Sequence, residues 1–132
     1  MPKIFLDSNI VLYAFTNDAR SAVAESLLAQ GPNLSVQVLN EFVNVARKKL
    51  GFGWSQIEEA LKAIHTLAGA IHPIDIESHS SAVVLARRYG FSFYDALIVA
   101  SAQIAQCDIL YSEDFQHSQK IEGLTIFDPF RD

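Results

Sequence analysis

The sequence has 132 residues, half of them hydrophobic and 19% charged, which fits one core-rich globular domain and excludes a disordered chain. Its formal net charge of −5 argues against a general nucleic-acid binder, which is normally basic. Cys107 is the sole cysteine, so an internal disulfide and any zinc site with two thiolates are excluded, in keeping with a reducing cytoplasm.

The start, Met1 to Asp7, lacks the apolar run of a secretory signal, and no stretch reaches the ~20 consecutive apolar residues of a membrane span. No repeat or linker divides residues 1–132, so a single domain is expected. In chain order, Lys3 to Leu6 reads as a short buried strand ending at Asp7-Ser8-Asn9, and Ile10 to Phe15 as a short helix broken by Thr16-Asn17-Asp18. Ala19 to Ala29 reads as an amphipathic helix with Val23, Leu27 and Leu28 inward, stopped by Gly31-Pro32. A brief strand at Leu34-Ser35 precedes an apolar helix, Val36 to Leu50, that turns Val38, Leu39, Phe42, Val43 and Ala46 inward. Ser55 followed by Glu58 is a capping-box pattern, and the helix it opens carries Ile57, Leu61, Ile64 and Leu67. Ala70 to Ile74 reads as a strand, Ser78 to Tyr89 as a helix closed by Gly90, and Tyr94 to Gln106 as a helix burying Leu97, Ile98 and Ile104. Strands at Asp108 to Tyr111 and Leu124 to Phe127 complete the pattern. Alternating strands and helices predict an α/β domain with a mostly parallel central sheet between two helical layers.

Ligands of open parallel sheets gather beyond the carboxyl ends of the strands. Asp7 and Asp114 fall at such ends, and Asp95 falls in the first turn of a helix, which faces the same rim. Acids brought together there repel one another unless cations neutralise them, and Mg²⁺ and Mn²⁺ prefer such oxygen ligands. Each acid also has a plainer reading. Asp7 would cap the following helix, Asp95 would be the third-position acid of a cap opened by Ser92, and Asp114 would be a turn residue. Glu41 stands among Val38, Leu39, Phe42 and Val43, where a carboxylate is costly unless paired or metal-bound; its plainer reading is a solvated gap in that face.

Four segments together carry a resemblance. Phe5-Leu6-Asp7-Ser8-Asn9-Ile10, Ser35-Val36-Gln37-Val38-Leu39-Asn40-Glu41-Phe42, Phe93-Tyr94-Asp95-Ala96-Leu97-Ile98-Val99-Ala100 and Ile109-Leu110-Tyr111-Ser112-Glu113-Asp114-Phe115 resemble, in order and spacing, the four acidic segments of PIN-domain nucleases. The chain length is similar to that of the family's VapC-like toxins of toxin–antitoxin pairs. The fourth segment departs from the pattern, with Ser112 where the family more often has Thr, and either Glu113 or Asp114 as its acid. Asp114 is preferred, two residues past the hydroxyl.

The resemblance implies a three-layer α/β/α fold and Mg²⁺- or Mn²⁺-dependent cleavage of RNA by a metal-activated water. It implies Asp7 and Asp95 as direct ligands, Glu41 and Asp114 completing the site, and Asn9 and Ser112 orienting them. It further implies a cytoplasmic toxin, a cognate antitoxin and a homodimer. Arg47-Lys48-Lys49 would steer RNA phosphates or complement the end of its helix. His65, His72, His79 and His117 lack zinc-ligand spacing. Phe52, Trp54, Phe91 and Phe93 read as core or interface groups rather than base-stacking platforms. A haloacid-dehalogenase-like phosphatase needs a second Asp where Asn9 stands, and a response-regulator receiver needs a Lys after its last strand, where Asp128-Pro129 stands. The remaining alternatives are a catalytically silent module of the same fold and a non-toxic nuclease of RNA processing.

Overall fold

The structure, a computed structural model, describes residues 1–131. Strand β1 (Ile4–Leu6) consists of three apolar residues, all buried, as a central parallel strand requires. Helices α1 (Ser8–Tyr13) and α2 (Ser21–Leu28) lead to β2 (Asn33–Ser35), then α3 (Val36–Lys48), α4 (Trp54–Leu67) and β3 (Ala70–His72). Helices α5 (Ile76–Tyr89) and α6 (Phe93–Ile104) pack on one another and return the chain to β4 (Ile109–Tyr111). A two-residue strand β5 (Lys120–Ile121) turns back into β6 (Leu124–Phe127).

The sheet order is β3-β2-β1-β4-β6-β5. Every neighbouring pair is parallel except β5 and β6. The chain thus builds outward from β1 to β3, crosses back, and builds outward again from β4. The crevice between β1 and β4, where the order reverses, is where such sheets bind ligands. Helices flank the sheet in three α/β/α layers, around a core that includes Phe5, Leu6, Ile10, Leu34, Phe42, Ile64, Ile98, Leu110 and Ile126.

The expected elements are present, with informative departures. Val23, Leu67 and Ile104, expected inward, are 41%, 41% and 42% exposed. The Ser55–Glu58 capping box does not form. Helix α4 starts two residues earlier with Gly53 as its cap, and the Gln56 side-chain carbonyl accepts from Gly53 N–H at 2.9 Å. Likewise α5 starts at Ile76, because Asp75 accepts from Ser78 N–H at 2.9 Å. Strand β3 stops at His72, ahead of Pro73, which has no N–H to offer the ladder. The β5–β6 hairpin was not expected. Its turn holds Glu122 at φ 56°, a left-handed conformation with little sequence signal in Glu.

Candidate active site

The carboxyl ends of β1 and β4 bring the first and fourth acidic segments together. Asp7 directly follows β1, and its backbone N–H donates to Tyr111 O of β4 at 3.0 Å. Its side chain is 1% exposed. Asp7 Oδ1 accepts from Ser8 N–H at 2.6 Å, capping α1, and Oδ2 accepts from the Ser112 hydroxyl at 2.7 Å. Capping and site placement are therefore one arrangement, not rival ones. Ser112 is itself fully buried, and its Oγ accepts from Asp114 N–H at 3.1 Å. Asn9 Nδ2 donates to Asp114 Oδ2 at 2.9 Å.

Glu41 comes from the second turn of α3, whose start is fixed by Ser35 Oγ accepting from Val38 N–H at 3.3 Å. The carboxylate points toward Asp7. Oε1 accepts from Ser8 Oγ at 2.7 Å, and Oε2 accepts from Gln37 Nε2 at 3.1 Å. The apolar helix thus carries a carboxylate whose two oxygens are both satisfied. Asp95 enters from the first turn of α6, where its N–H donates to the expected Ser92 cap at 3.3 Å.

Burial, the dominant cause, raises the Asp7 pKa to about 7, against the lowering effect of the Ser112 and Ser8 hydrogen bonds; the Glu41 and Asp114 charges add to the rise. Burial also raises the Asp95 pKa, offset by Ser92 and reinforced by the charge of Asp114. Asp7 thus feels the charges of Glu41 and Asp114, and Asp95 feels that of Asp114. Among the described residues, no group of three or more His, Cys, Asp or Glu side chains is placed to hold a metal ion. The carboxylates are turned onto hydroxyl and amide partners instead. Their chemistry still fits a hard divalent cation, since Mg²⁺ keeps several waters and takes one or two carboxylates rather than an all-protein cage.

The sequence profile of the PIN domain matches residues 4–121. This chain belongs to the PIN-domain family. No curated protein sequence matches it significantly. Among solved structures, the PIN domain here is similar to a toxin–antitoxin complex from Klebsiella pneumoniae, with TM-score 0.76 and 21% identity over 98% of this chain and 100% of that one. It is also similar to the sarcin-ricin-loop-cleaving toxin VapC20 from Mycobacterium tuberculosis, with TM-score 0.67 and 22% identity over 85% and 90%. A third similar structure is VapBC2 from Rickettsia felis bound to a fragment of its promoter DNA, with TM-score 0.66 and 20% identity over 93% and 96%. At these identities the likeness is one of fold.

Within this PIN domain the two adjacent acids of the fourth segment part company. Glu113 turns away from the cluster, accepting from the Tyr13 hydroxyl and pairing with Arg20 Nη1 at 3.1 Å, while Asp114 turns toward Asn9. Two partners escaped the sequence reading. Ser8 bridges Asp7 and Glu41, and Gln37 braces Glu41. Gln37 was detectable, because it lies one turn before Glu41 on the same helix. The basic run lies beyond the site: Lys48 is about 10 Å further along the α3 axis than Glu41. Arg47 there donates to Phe52 O at 3.0 Å and covers the Trp54 ring at 4.5 Å. Of the aromatic residues expected in the core or at interfaces, Trp54 is 57% exposed. His72 Nε2 shares a hydrogen bond with Asn33 Oδ1 at 2.9 Å, and His117 Nδ1 accepts from Asp128 N–H at 3.1 Å, both away from the acids.

Proposed function

We propose that this PIN domain is a Mg²⁺- or Mn²⁺-dependent endoribonuclease and the toxin of a toxin–antitoxin pair. One observation carries the reading: Asp7 is buried at the β1/β4 crevice, where it feels the charges of Glu41 and Asp114, and Asp114 in turn is felt by Asp95. Asp7 and Asp95 are the direct ligands in this reading, with Glu41 and Asp114 holding the ion directly or through water. A divalent ion bound there supplies an activated water near neutral pH and offsets the charge of the attacked phosphate. The chain's own groups prepare the site. Ser112 holds Asp7, Asn9 holds Asp114, and Ser8 with Gln37 holds Glu41, so these three carboxylates are tethered beside the crevice. The net charge of −5 is thereby reconciled with an anionic substrate, because divalent ions reverse the local sign.

The toxin assignment draws on the similar structures, two of which are toxin–antitoxin complexes and one an RNA-cleaving toxin. The partner would be a small antitoxin with a tail that folds on binding and an Arg that reaches the carboxylates in two-pronged geometry. Such an Arg competes with metal, so excess Mn²⁺ is expected to weaken inhibition. A cytoplasmic location follows from an RNA substrate.

The test is Mn²⁺-dependent cleavage of cellular RNA by the purified chain, alongside Asp7→Asn and Asp95→Asn. Both variants are expected to fold and to lose cleavage by about 100-fold or more. Wild-type cleavage by a folded variant overturns the site. No cleavage by the metal-loaded chain overturns the nuclease reading in favour of a silent binding module. Expression alone should arrest growth and coexpression with the neighbouring small open reading frame should relieve it. Cleavage without arrest leaves a nuclease of RNA processing in place of a toxin.

A further inference from the structure

Beside Glu41 lies an open groove of about 340 Å³ lined by Gln37, Asn40, Glu41, Asn44 and Tyr94. We propose that this groove binds an unpaired nucleobase of the RNA strand, next to the phosphate attacked at the acid cluster; the proposal rests on the nuclease reading above. The groove and the cluster are continuous, since Glu41 lines one and is joined to Asp7 of the other through Ser8. Tyr94 immediately precedes Asp95, so the groove's aromatic wall and an acid of the cluster come from the same turn of α6.

The chemistry of the lining selects the base rather than the phosphate or ribose. No cation lines the groove, and Glu41 repels a phosphate placed in it. Asn40 and Asn44 lie four residues apart on one face of α3, and both are exposed. A carboxamide presents a donor and an acceptor side by side, the pattern that matches the edge of a base. In duplex RNA these edges are largely inaccessible to side chains, whereas splayed single strands offer them. Tyr94 is 62% exposed and makes an edge-to-face contact with Phe93 at 5.8 Å, so most of its ring is open to solvent. An open aromatic face stacks on any base, while amides discriminate among them. Tyr94 therefore supplies affinity, and Asn40 and Asn44 supply preference.

The experiment has two arms. In the first, the chain with Ca²⁺ on its carboxylates in place of Mn²⁺ is titrated with a fluorescently labelled single-stranded RNA hexamer of random sequence, with duplex RNA as comparison. Binding to the single strand should weaken about tenfold in Tyr94→Ala and be retained in Tyr94→Phe. Equal binding by wild type and Tyr94→Ala, or no single-strand binding by wild type, overturns the groove. In the second, a random-sequence oligoribonucleotide is cut with Mn²⁺ and the ends are sequenced. Wild type should favour one base at a fixed position beside the cut, and the Asn40→Ala/Asn44→Ala pair should reduce that preference by about tenfold. Tyr94→Ala should raise KM far more than it lowers kcat. Unchanged preference in the amide variant overturns the proposal, including the case in which the groove serves a protein partner instead. No cutting by wild type overturns the nuclease reading, and the first arm still decides the groove.

Discussion

Asp7 closes the first turn of α1 and also sits at the centre of the acid cluster, and its burial makes it a pH sensor of folding. In the unfolded chain it titrates near 3.8, in the native chain at about 7. Between these values the native state holds a proton that the unfolded state has lost, so stability falls as pH rises. The stability is fully present below about pH 4 and its loss is complete above about pH 7, amounting to about 4 kcal/mol for a group this buried. Asparagine keeps the cap and offers an amide to Ser112. In chelator, the melting temperature of Asp7→Asn minus that of wild type should therefore grow steadily from pH 4 to 7, and parallel melting profiles would remove Asp7 from the buried cluster. Ser8 makes a second residue-scale case. Its hydroxyl joins the first acidic segment to the second, so Ser8→Ala is expected to lower Mn²⁺ affinity and cleavage by about tenfold with unchanged circular dichroism. Calorimetric titration showing wild-type affinity would reduce Ser8 to a packing residue. Neither Ser8 nor its partnership was legible in the sequence, because the bond spans 33 residues and a Ser after an Asp reads as ordinary turn chemistry.

The same contrast holds for elements. Strand β1 was legible because three apolar residues ending in Asp leave few other readings, and α6 because Ser92 and Asp95 mark its start. Helix α4 was misread at its start, since a glycine cap closed by Gln56 competes with a Ser55 cap that looks better in one dimension. The exit of β4 was legible only as a choice between two acids. The preference for Asp114 is supported by a clamp on its neighbour: Arg20 lies over the Tyr13 ring at 4.3 Å, both side chains hold Glu113, and Tyr13 packs edge-on to Phe130 at 5.4 Å. The clamp fixes Glu113 on α1 and presents the next residue, Asp114, to the crevice. Glu113→Gln is accordingly expected to keep cleavage within about threefold of wild type, and Asp114→Asn to lose about tenfold or more. Equal losses in the two variants, measured on one RNA, would mean that the clamp itself serves catalysis.

At the scale of the whole molecule, the mean hydropathy of +0.18 goes with several large apolar side chains left outside the core. Ile76, Val83 and Val84 of α5 stand 81%, 50% and 48% exposed, at spacings that place them on one stripe. A symmetric homodimer would cover such a stripe with its own copy, two-fold pairing being the commonest assembly. Light scattering at micromolar concentration should give twice the mass of one chain, falling to one mass in Val83→Lys. A monomeric wild type would leave the stripe to another partner. The strand order has a further consequence, which concerns synthesis. Ser112 and Asp7 meet across 105 residues, and β1 gains its β4 neighbour only when the last quarter of the chain is made. A nascent or prematurely released chain ending before β4 carries Asp7, Glu41 and Asp95 but has neither Asp114 nor the strand that shapes the crevice. On the proposed reading of an RNA-cutting enzyme, this ordering delays activity: the site closes only after most of the chain has left the ribosome, itself largely RNA.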